Sequence, residues 1–239
     1  MQHISYAGVC DGVCFVGGVI FEVLNNIMSN NESVGKQYFS YAVDKPLAYV
    51  TVEIKTEVIH ALIAKYRMEE RKSVSFGDII LHALAQGFKS YPEFNSHYFD
   101  KLELFSSVNV GYFINLGKGA KVAVIEKADE KSIVEISTEV KNLAMKYLHN
   151  ELLDSDVLKG TFTVTNLSMF DVVQVNSPVL QHQSCMISLA KERDAVEVVE
   201  GLVVPIRIFN LTLSFDSRVA DCQKAVQFLS FVKKILESK

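Results

Sequence analysis

The segment from Leu211 to Cys222 brings several chemically capable side chains together. An apolar strand pattern runs directly into Asp216, Ser217 and Arg218, and Asp221 follows at the predicted start of a helix. Arg218 lies between two carboxylates in the sequence, which predicts a shared salt bridge, because a guanidinium donates parallel hydrogen bonds to carboxylate oxygens. From spacing alone the segment is either a turn held by ion pairs or a catalytic site.

The cysteines give little support for metal or disulfide chemistry. They are Cys10, Cys14, Cys185 and Cys222. Cys10 and Cys14 lie close together, but no second pair with ligand spacing follows, so we interpret them as buried thiols and predict no metal. So few cysteines do not make a disulfide scaffold, which favours a cytoplasmic protein.

The composition argues against several other classes of protein. The chain has 239 residues, 24 basic and 28 acidic side chains, a net charge of −4 and 49% hydrophobic residues. We therefore predict neither a nucleic-acid partner nor a disordered chain. The apolar stretch from Gly12 to Phe21 is too short for a membrane span, which needs about 20 residues. The mean hydropathy of +0.18 indicates burial between subunits.

The hydrophobic periodicity predicts a mixed α/β body. Polar, Asn-rich residues 25–40 predict a loop or linker ahead of it. Ser75 and Ser132 are expected to cap helices, the latter with Glu135 in a capping box. No glycine-rich phosphate loop opens a helix, so nucleotide binding is not predicted. Strands are predicted at about 49–54, 108–114, 121–125, 161–165, 184–190, 195–199 and 203–215, and helices at 56–68, 76–90, 132–147 and 222–236.

Several motifs, in order, resemble the catalytic domain of dihydrolipoamide acyltransferases, the core subunits of 2-oxoacid dehydrogenase complexes. Leu213 to Asp216 and Arg218 to Asp221 match the family's Leu-Ser-Phe-Asp-His-Arg and Val-x-Asp-Gly. Gly160 to Phe170 is similar to Gly-Thr-Phe-Thr-Ile-Ser-Asn-Leu-Gly-Met-Phe. The resemblance covers about 38–239 and leaves 1–37 as an extension or linker of unknown role. Shorter matches lie at 49–53, 91–95, 131–136 and 176–191.

The resemblance implies an α/β two-layer sandwich of the chloramphenicol acetyltransferase type, with a mixed sheet and helices on one face. It implies a homotrimer in which the catalytic His and the Ser/Thr come from different subunits. The implied substrate is an acyl thioester of coenzyme A or phosphopantetheine. The implied partners are an acyl carrier protein or subunits of a dehydrogenase complex, and we expect no lipoyl domain.

Position 217 departs from the family pattern. The family has a histidine there as general base, and serine has no pKa near neutrality with which to replace it. Loss of a general base costs about 10²–10⁴ in rate. Thr165 falls at the family's oxyanion donor, and Asp221 falls at the acid that pairs with the motif arginine, here Arg218. His182 and Cys222 are candidate substitutes for the missing base.

Two functions therefore stay open. One is a stand-alone acyltransferase whose usual acyl transfer is lost or altered. The other is a non-catalytic structural subunit, because Asp-Ser-Arg also resembles component X of some pyruvate dehydrogenase complexes, whose core domain is non-catalytic. Thr165, Arg218 and Asp221 match the family motifs under both functions, since ion pairs in a turn also serve folding.

Overall fold

The structure, a computed structural model, describes residues 45–114 and 121–238, with the backbone alone at 154–155. The predictions made for Cys10, Cys14, the extension 1–37 and the strand connection 115–119 lie outside the described residues.

The described elements follow the predicted alternation of strands and helices. The strands are β1 Leu47–Lys55, β2 Ser96–Tyr98, β3 Leu102–Leu104, β4 Val110–Ile114, β5 Lys121–Ile125, β6 Phe162–Asn166, β7 Cys185–Leu189, β8 Arg193–Val199 and β9 Leu202–Asp216. The α-helices are α1 Glu57–Met68, α2 Phe76–Ser90, α3 Ile133–Leu148 and α4 Cys222–Glu237.

A seven-stranded mixed sheet forms the centre of the fold. Its order is β1-β9-β7-β6-β4-β5, and β8 also pairs with β9. The β4–β6 and β6–β7 pairs are parallel, while β9 runs antiparallel to each of its neighbours. The predicted mixed sheet is thereby confirmed.

The helices and one face of the sheet share one large hydrophobic core, and a smaller cluster joins α3 to β4 and β5. Phe88 of α2 stacks on Phe162 of β6 with ring centroids 3.6 Å apart, and it meets Phe228 of α4 edge-on at 4.9 Å. Because strand side chains alternate between faces, every second residue of β9 enters this core. Those residues are Phe209, Leu211, Leu213 and Phe215.

Local capping fixes where two of the helices begin. Ser75 accepts a hydrogen bond from the Asp78 amide, and the Asp78 carboxylate accepts one from the Ser75 amide. Ser132 and Glu135 form the same reciprocal arrangement at α3. Both predicted N-caps are confirmed, and each satisfies backbone donors that a helix start otherwise leaves open.

Strand β9 extends beyond β1 as a hairpin with β8. The connection is the two-residue turn Glu200-Gly201, with φ values of 52° and 82°. Two consecutive positive φ values are typical of the turn that joins twisted antiparallel strands. The hairpin leaves apolar side chains in solvent, namely Val196, Val198, Leu202 and Val203.

Candidate active site

The turn after β9 is organised around one buried carboxylate. Asp216 is 1% exposed. Arg218 Nε donates to Asp216 Oδ1 at 2.9 Å, Nη2 donates to Oδ2 at 2.5 Å, and the Arg218 amide donates to Oδ1 at 3.0 Å. This two-pronged ion pair fixes the turn, and its hydrogen bonds raise the pKa of Arg218.

Tyr98 of β2 packs its ring against the guanidinium of Arg218. Its ring centroid lies 4.6 Å from Arg218 Cζ, within the range of a cation–π contact. Arg218 is therefore held by a carboxylate and an aromatic face at once. Tyr98 was not identifiable from the sequence, because nothing in the local pattern of a three-residue strand links it to a turn 120 residues later.

Asp221 does not share the ion pair, contrary to the expectation from its spacing. Its carboxylate accepts the Lys224 amide at 2.7 Å and caps α4. Within the described residues, the ion pair of Arg218 is with Asp216. The physical reason is the extended backbone of Asp221 at the N-cap, which aims its side chain at the open amides of the helix. An acidic residue immediately before a helix is the signal that predicts this cap.

Ser217 and Cys222 are both exposed at this turn. The Ser217 amide donates to the Pro46 carbonyl at 2.8 Å, which continues the β1–β9 pairing by one residue. Cys222 is the first residue of α4. The structure thus places Ser217, Arg218, Asp221 and Cys222 on a single turn, as the sequence predicts.

Thr165 lies on β6, on the sheet face opposite the helices. Its Oγ1 is buried and has no hydrogen-bond partner among the described residues. Two residues earlier, Thr163 Oγ1 donates to Gln183 Oε1 at 2.9 Å. Because buried hydroxyls are normally paired, the Thr165 hydroxyl is a donor available to a bound molecule or a neighbouring chain.

Thr165 and the turn are distant within one protomer. Thr165 is in register with Ser188 of β7, which is in register with Thr212 of β9, so two strand spacings separate them. Asp216 lies four residues further along β9. With about 4.8 Å between strands and about 3.3 Å per residue, the separation of Thr165 and Asp216 is on the order of 15 Å. One protomer does not bring these two groups together.

His182 lies half-buried in the segment that leads into β7. Its Nε2 is 3.1 Å from the Val157 carbonyl, so Nε2 carries the proton and Nδ1 the lone pair. Burial lowers the pKa of His182, the bond to Val157 opposes this, and the charge of Lys45 lowers it further. The imidazole is therefore neutral at pH 7.

Lys45 is a second residue that sequence reasoning missed. It precedes β1 and donates to backbone carbonyls of the segment that contains His182. Its acceptors lie more than 130 residues away in the sequence, so no local signal could have identified it.

In the part of the chain that the structure describes, no three His, Cys, Asp or Glu side chains form a group able to hold one metal ion. Across residues 45–114 and 121–238, no helix has the length and apolar character needed to span a bilayer.

A family model decides the relationship of this chain. The catalytic domain of the 2-oxoacid dehydrogenase acyltransferases matches residues 37–239. The chain belongs to the 2-oxoacid dehydrogenase acyltransferase family. The match agrees closely with the 38–239 resemblance found in the motifs, and it confirms the predicted family.

Curated relatives in the acyltransferase family are longer than this chain. The acetyltransferase component of the pyruvate dehydrogenase complex of Rickettsia conorii is 26% identical over 219 residues, which are 90% of this chain and 52% of the relative. The chain spans about half the length of the curated relatives it matches.

Solved structures confirm the predicted fold class. A probable dihydrolipoamide acetyltransferase from Listeria monocytogenes superimposes with a TM-score of 0.75 at 26% identity, covering 96% of this chain and 94% of that chain. A chloramphenicol acetyltransferase superimposes with a TM-score of 0.56 at 10% identity, covering 90% and 94%. The second likeness concerns the fold alone. The chain thus has the chloramphenicol acetyltransferase type of fold.

Proposed function

We propose that this chain binds an acyl thioester of coenzyme A or of a carrier protein's phosphopantetheine. In this proposal the family's usual acyl transfer is lost or altered, because Ser217 stands where the family carries its general-base histidine. The observation that carries the proposal is the buried hydroxyl of Thr165, which has no hydrogen-bond partner in the described part of the chain. An idle buried donor costs stability, and an acyl oxyanion is the partner that the family chemistry would bring to it.

Assembly of the site would require more than one subunit. The separation of Thr165 from the Asp216–Arg218 turn along the sheet leaves room for a turn from a neighbouring copy to approach Thr165. The exposed valines of the β8–β9 hairpin supply apolar surface for such a contact, with Val196 and Val198 69% and 68% exposed. We therefore retain the homotrimer in the proposal.

His182 and Cys222 are the residues that could supply a base or nucleophile in place of the missing histidine. His182 is neutral at pH 7 and keeps a lone pair on Nδ1, which a general base needs. Cys222 presents an exposed thiol at the first residue of α4. In the described part of one protomer, neither residue forms a hydrogen bond with the Thr165 hydroxyl.

The alternative is a non-catalytic structural subunit of a multienzyme complex. The observation that favours it is the turn itself, where Arg218 and Asp216 satisfy each other and Asp221 caps a helix. Those contacts serve folding and require no substrate. A carrier protein or dehydrogenase subunits remain the proposed partners of the two readings, and a cytoplasmic location remains a prediction.

An acyl-transfer assay separates the two readings. The protein is incubated with dihydrolipoamide and acetyl-coenzyme A, then with an acylated carrier protein as donor, and S-acyl-dihydrolipoamide and the deacylated donor are measured by chromatography. We expect Ser217→His to exceed the wild-type rate by about 10²–10⁴, the value of a general base. Thr165→Val is expected to abolish that rate. Thr138→Val, which alters an exposed threonine of α3, should leave it unchanged.

Contrary results are equally informative. If Ser217→His stays silent and coenzyme A does not bind in calorimetry, the structural-subunit reading holds. If the wild type already turns over and Thr165→Val removes that rate, a substitute base exists and the structural reading fails. A monomer in light scattering would contradict the site between subunits.

A further inference from the structure

Lys45 is bound in an uncommon way for a lysine. Its Nζ donates to the backbone carbonyls of Leu180 at 2.7 Å and Gln181 at 2.8 Å, and also to that of Gln183. An ammonium group has three N–H donors, so these carbonyls use all of them. The side chain therefore ties the segment 180–183 to the residue that leads into β1.

The same segment, together with Ser184 directly after it, contacts both halves of the candidate site. The Asp216 amide donates to the Ser184 carbonyl at 2.8 Å. The Gln183 side chain accepts from Thr163 of β6 at 2.9 Å and donates to the Gly160 carbonyl at 3.0 Å. Displacing this segment would thus disturb the Asp216–Arg218 turn on one side and β6, the strand that carries Thr165, on the other.

The turn is also held from the side of β1. The Ser217 amide donates to the carbonyl of Pro46, the residue next to Lys45. Leu47 and Asp216 then begin the register of β1 with β9. The Lys45–Pro46 pair consequently touches the turn through Pro46 and the segment 180–183 through the Lys45 ammonium.

We propose that Lys45 is a positioning residue, whose hydrogen bonds to segment 180–183 make that segment and the Asp216–Arg218 turn open and close as one unit. The importance of this unit for chemistry rests on the proposed function. The coupling itself is a property of the folded chain and needs neither a thioester nor turnover.

The charges around Lys45 give the proposal a pH signature. Burial lowers the pKa of Lys45 to about 8, against the attraction of Asp216 and with the repulsion of Arg218, while Cys185 has a small raising effect. His182, on the tied segment, also lies within reach of its charge. An opened segment would return Lys45 to water and to its ordinary pKa near 10.5.

The sign of the pH effect follows from proton linkage. Above about pH 8 Lys45 loses its proton in the closed form but keeps it in the open form. The neutral amine retains two N–H donors, and relief from burying the charge outweighs the loss of the third, so raising the pH favours the closed form. Below about pH 7 both forms hold the proton and the effect vanishes. Between pH 7 and 9, protection of the segment against exchange should increase about tenfold.

Amide hydrogen exchange on the full chain tests the coupling. At pH 7, Lys45→Met should speed exchange at Gln183, Asp216 and Ser217 together, by about tenfold, since three carbonyls lose their donor. Lys45→Arg keeps a charged donor and should stay within threefold of wild type. Lys233→Met is the matched control, because Lys233 also donates to a backbone carbonyl of β1, that of Glu53. It should change none of these amides.

The pH series separates positioning from a merely structural role. After correction for intrinsic exchange chemistry, wild type should show the rise between pH 7 and 9, and Lys45→Arg should be flat because guanidinium does not titrate there. Equal profiles, or faster exchange in 180–183 with Asp216 and Ser217 unchanged, would overturn the proposal. If Lys45→Met fails to fold, the comparison of wild type with Lys45→Arg still decides it.

Discussion

From Phe209 to Asp216 the two faces of β9 are both buried but differ in chemistry. On one face Phe209, Leu211, Leu213 and Phe215 pack into the core that the helices cover. On the other face Asn210, Thr212, Ser214 and Asp216 are polar and at most 8% exposed. Burial of the first face stabilises the fold directly, whereas burial of the second is tolerable only where each polar group finds a partner.

The polar face is only partly satisfied within one chain. Thr212 shares a hydrogen bond with Thr51 at 2.9 Å, and Ser177 with Ser188 at 2.7 Å. Ser214 Oγ, Asn210 Oδ1 and Thr165 Oγ1 have no partner among residues 45–114 and 121–238. The protomer therefore packs its apolar face by itself. The unpaired polar atoms of the other face require a ligand, water or another chain to complete their hydrogen bonds.

The largest effect is expected on the apolar face. Phe215→Ala removes a fully buried ring that meets Phe94 edge-on at 5.6 Å. We expect a loss of about 3–5 kcal/mol in the free energy of unfolding, from lost transfer energy and the cavity left behind. Urea unfolding measures it. Phe99→Ala, at a ring 77% exposed, should change stability by less than about 0.5 kcal/mol. Similar losses at both sites would contradict the assignment of the core face.

A smaller effect is expected where the polar face ends. Arg218→Met leaves the buried Asp216 carboxylate with backbone donors alone, which should cost about 2–3 kcal/mol after allowance for the partial exposure of Arg218. The matched control is Arg193→Met, since Arg193 pairs with Glu53 at 2.6 Å with both side chains exposed. That change should cost less than about 1 kcal/mol. Equal losses in chemical denaturation would show that burial of Asp216 does not matter.

Local signals explain why most of the fold was predictable. The period-two alternation of β9 and the capping box at Ser132 involve neighbours within a few residues, so the sequence displays them directly. The family was identifiable because several short motifs match its pattern in the same order along the chain. The short strands β2 and β3 escaped prediction, since three residues are too few to show a period.

The candidate site was less predictable because its contacts are distant in sequence. Ser217, Arg218 and Asp221 were found through one compact motif, yet the partners of Arg218 and Asp221 were settled by backbone direction at the helix start. Lys45 reaches the site because β1 pairs with the remote β9, and Tyr98 reaches it through the contact of its ring with Arg218. Spacing fixes which residues are near each other along the chain, but not which ones the sheet brings together.

The smallest effects test the polar face itself, through two threonines on one strand. Thr163→Val leaves the buried Gln183 amide oxygen without the donor it has at 2.9 Å, so stability should fall by about 1–3 kcal/mol. Thr165→Val removes a hydroxyl that has no partner within the described chain. Its stability should not fall, and should rise by up to about 1 kcal/mol, because no hydrogen bond is broken and an unsatisfied buried hydroxyl is removed.

Unfolding of the two valine variants at several protein concentrations completes the comparison. A loss for Thr165→Val that appears only at concentrations where the protein is oligomeric would mean that a neighbouring subunit supplies the missing partner. A loss as large as that of Thr163→Val in the monomer would contradict an idle hydroxyl, and with it the oxyanion role. If Thr165→Val is stable but no longer binds the thioester, the hydroxyl serves ligand binding and does not stabilise the fold. That result is expected for an unpaired polar group on the sheet face opposite the helices.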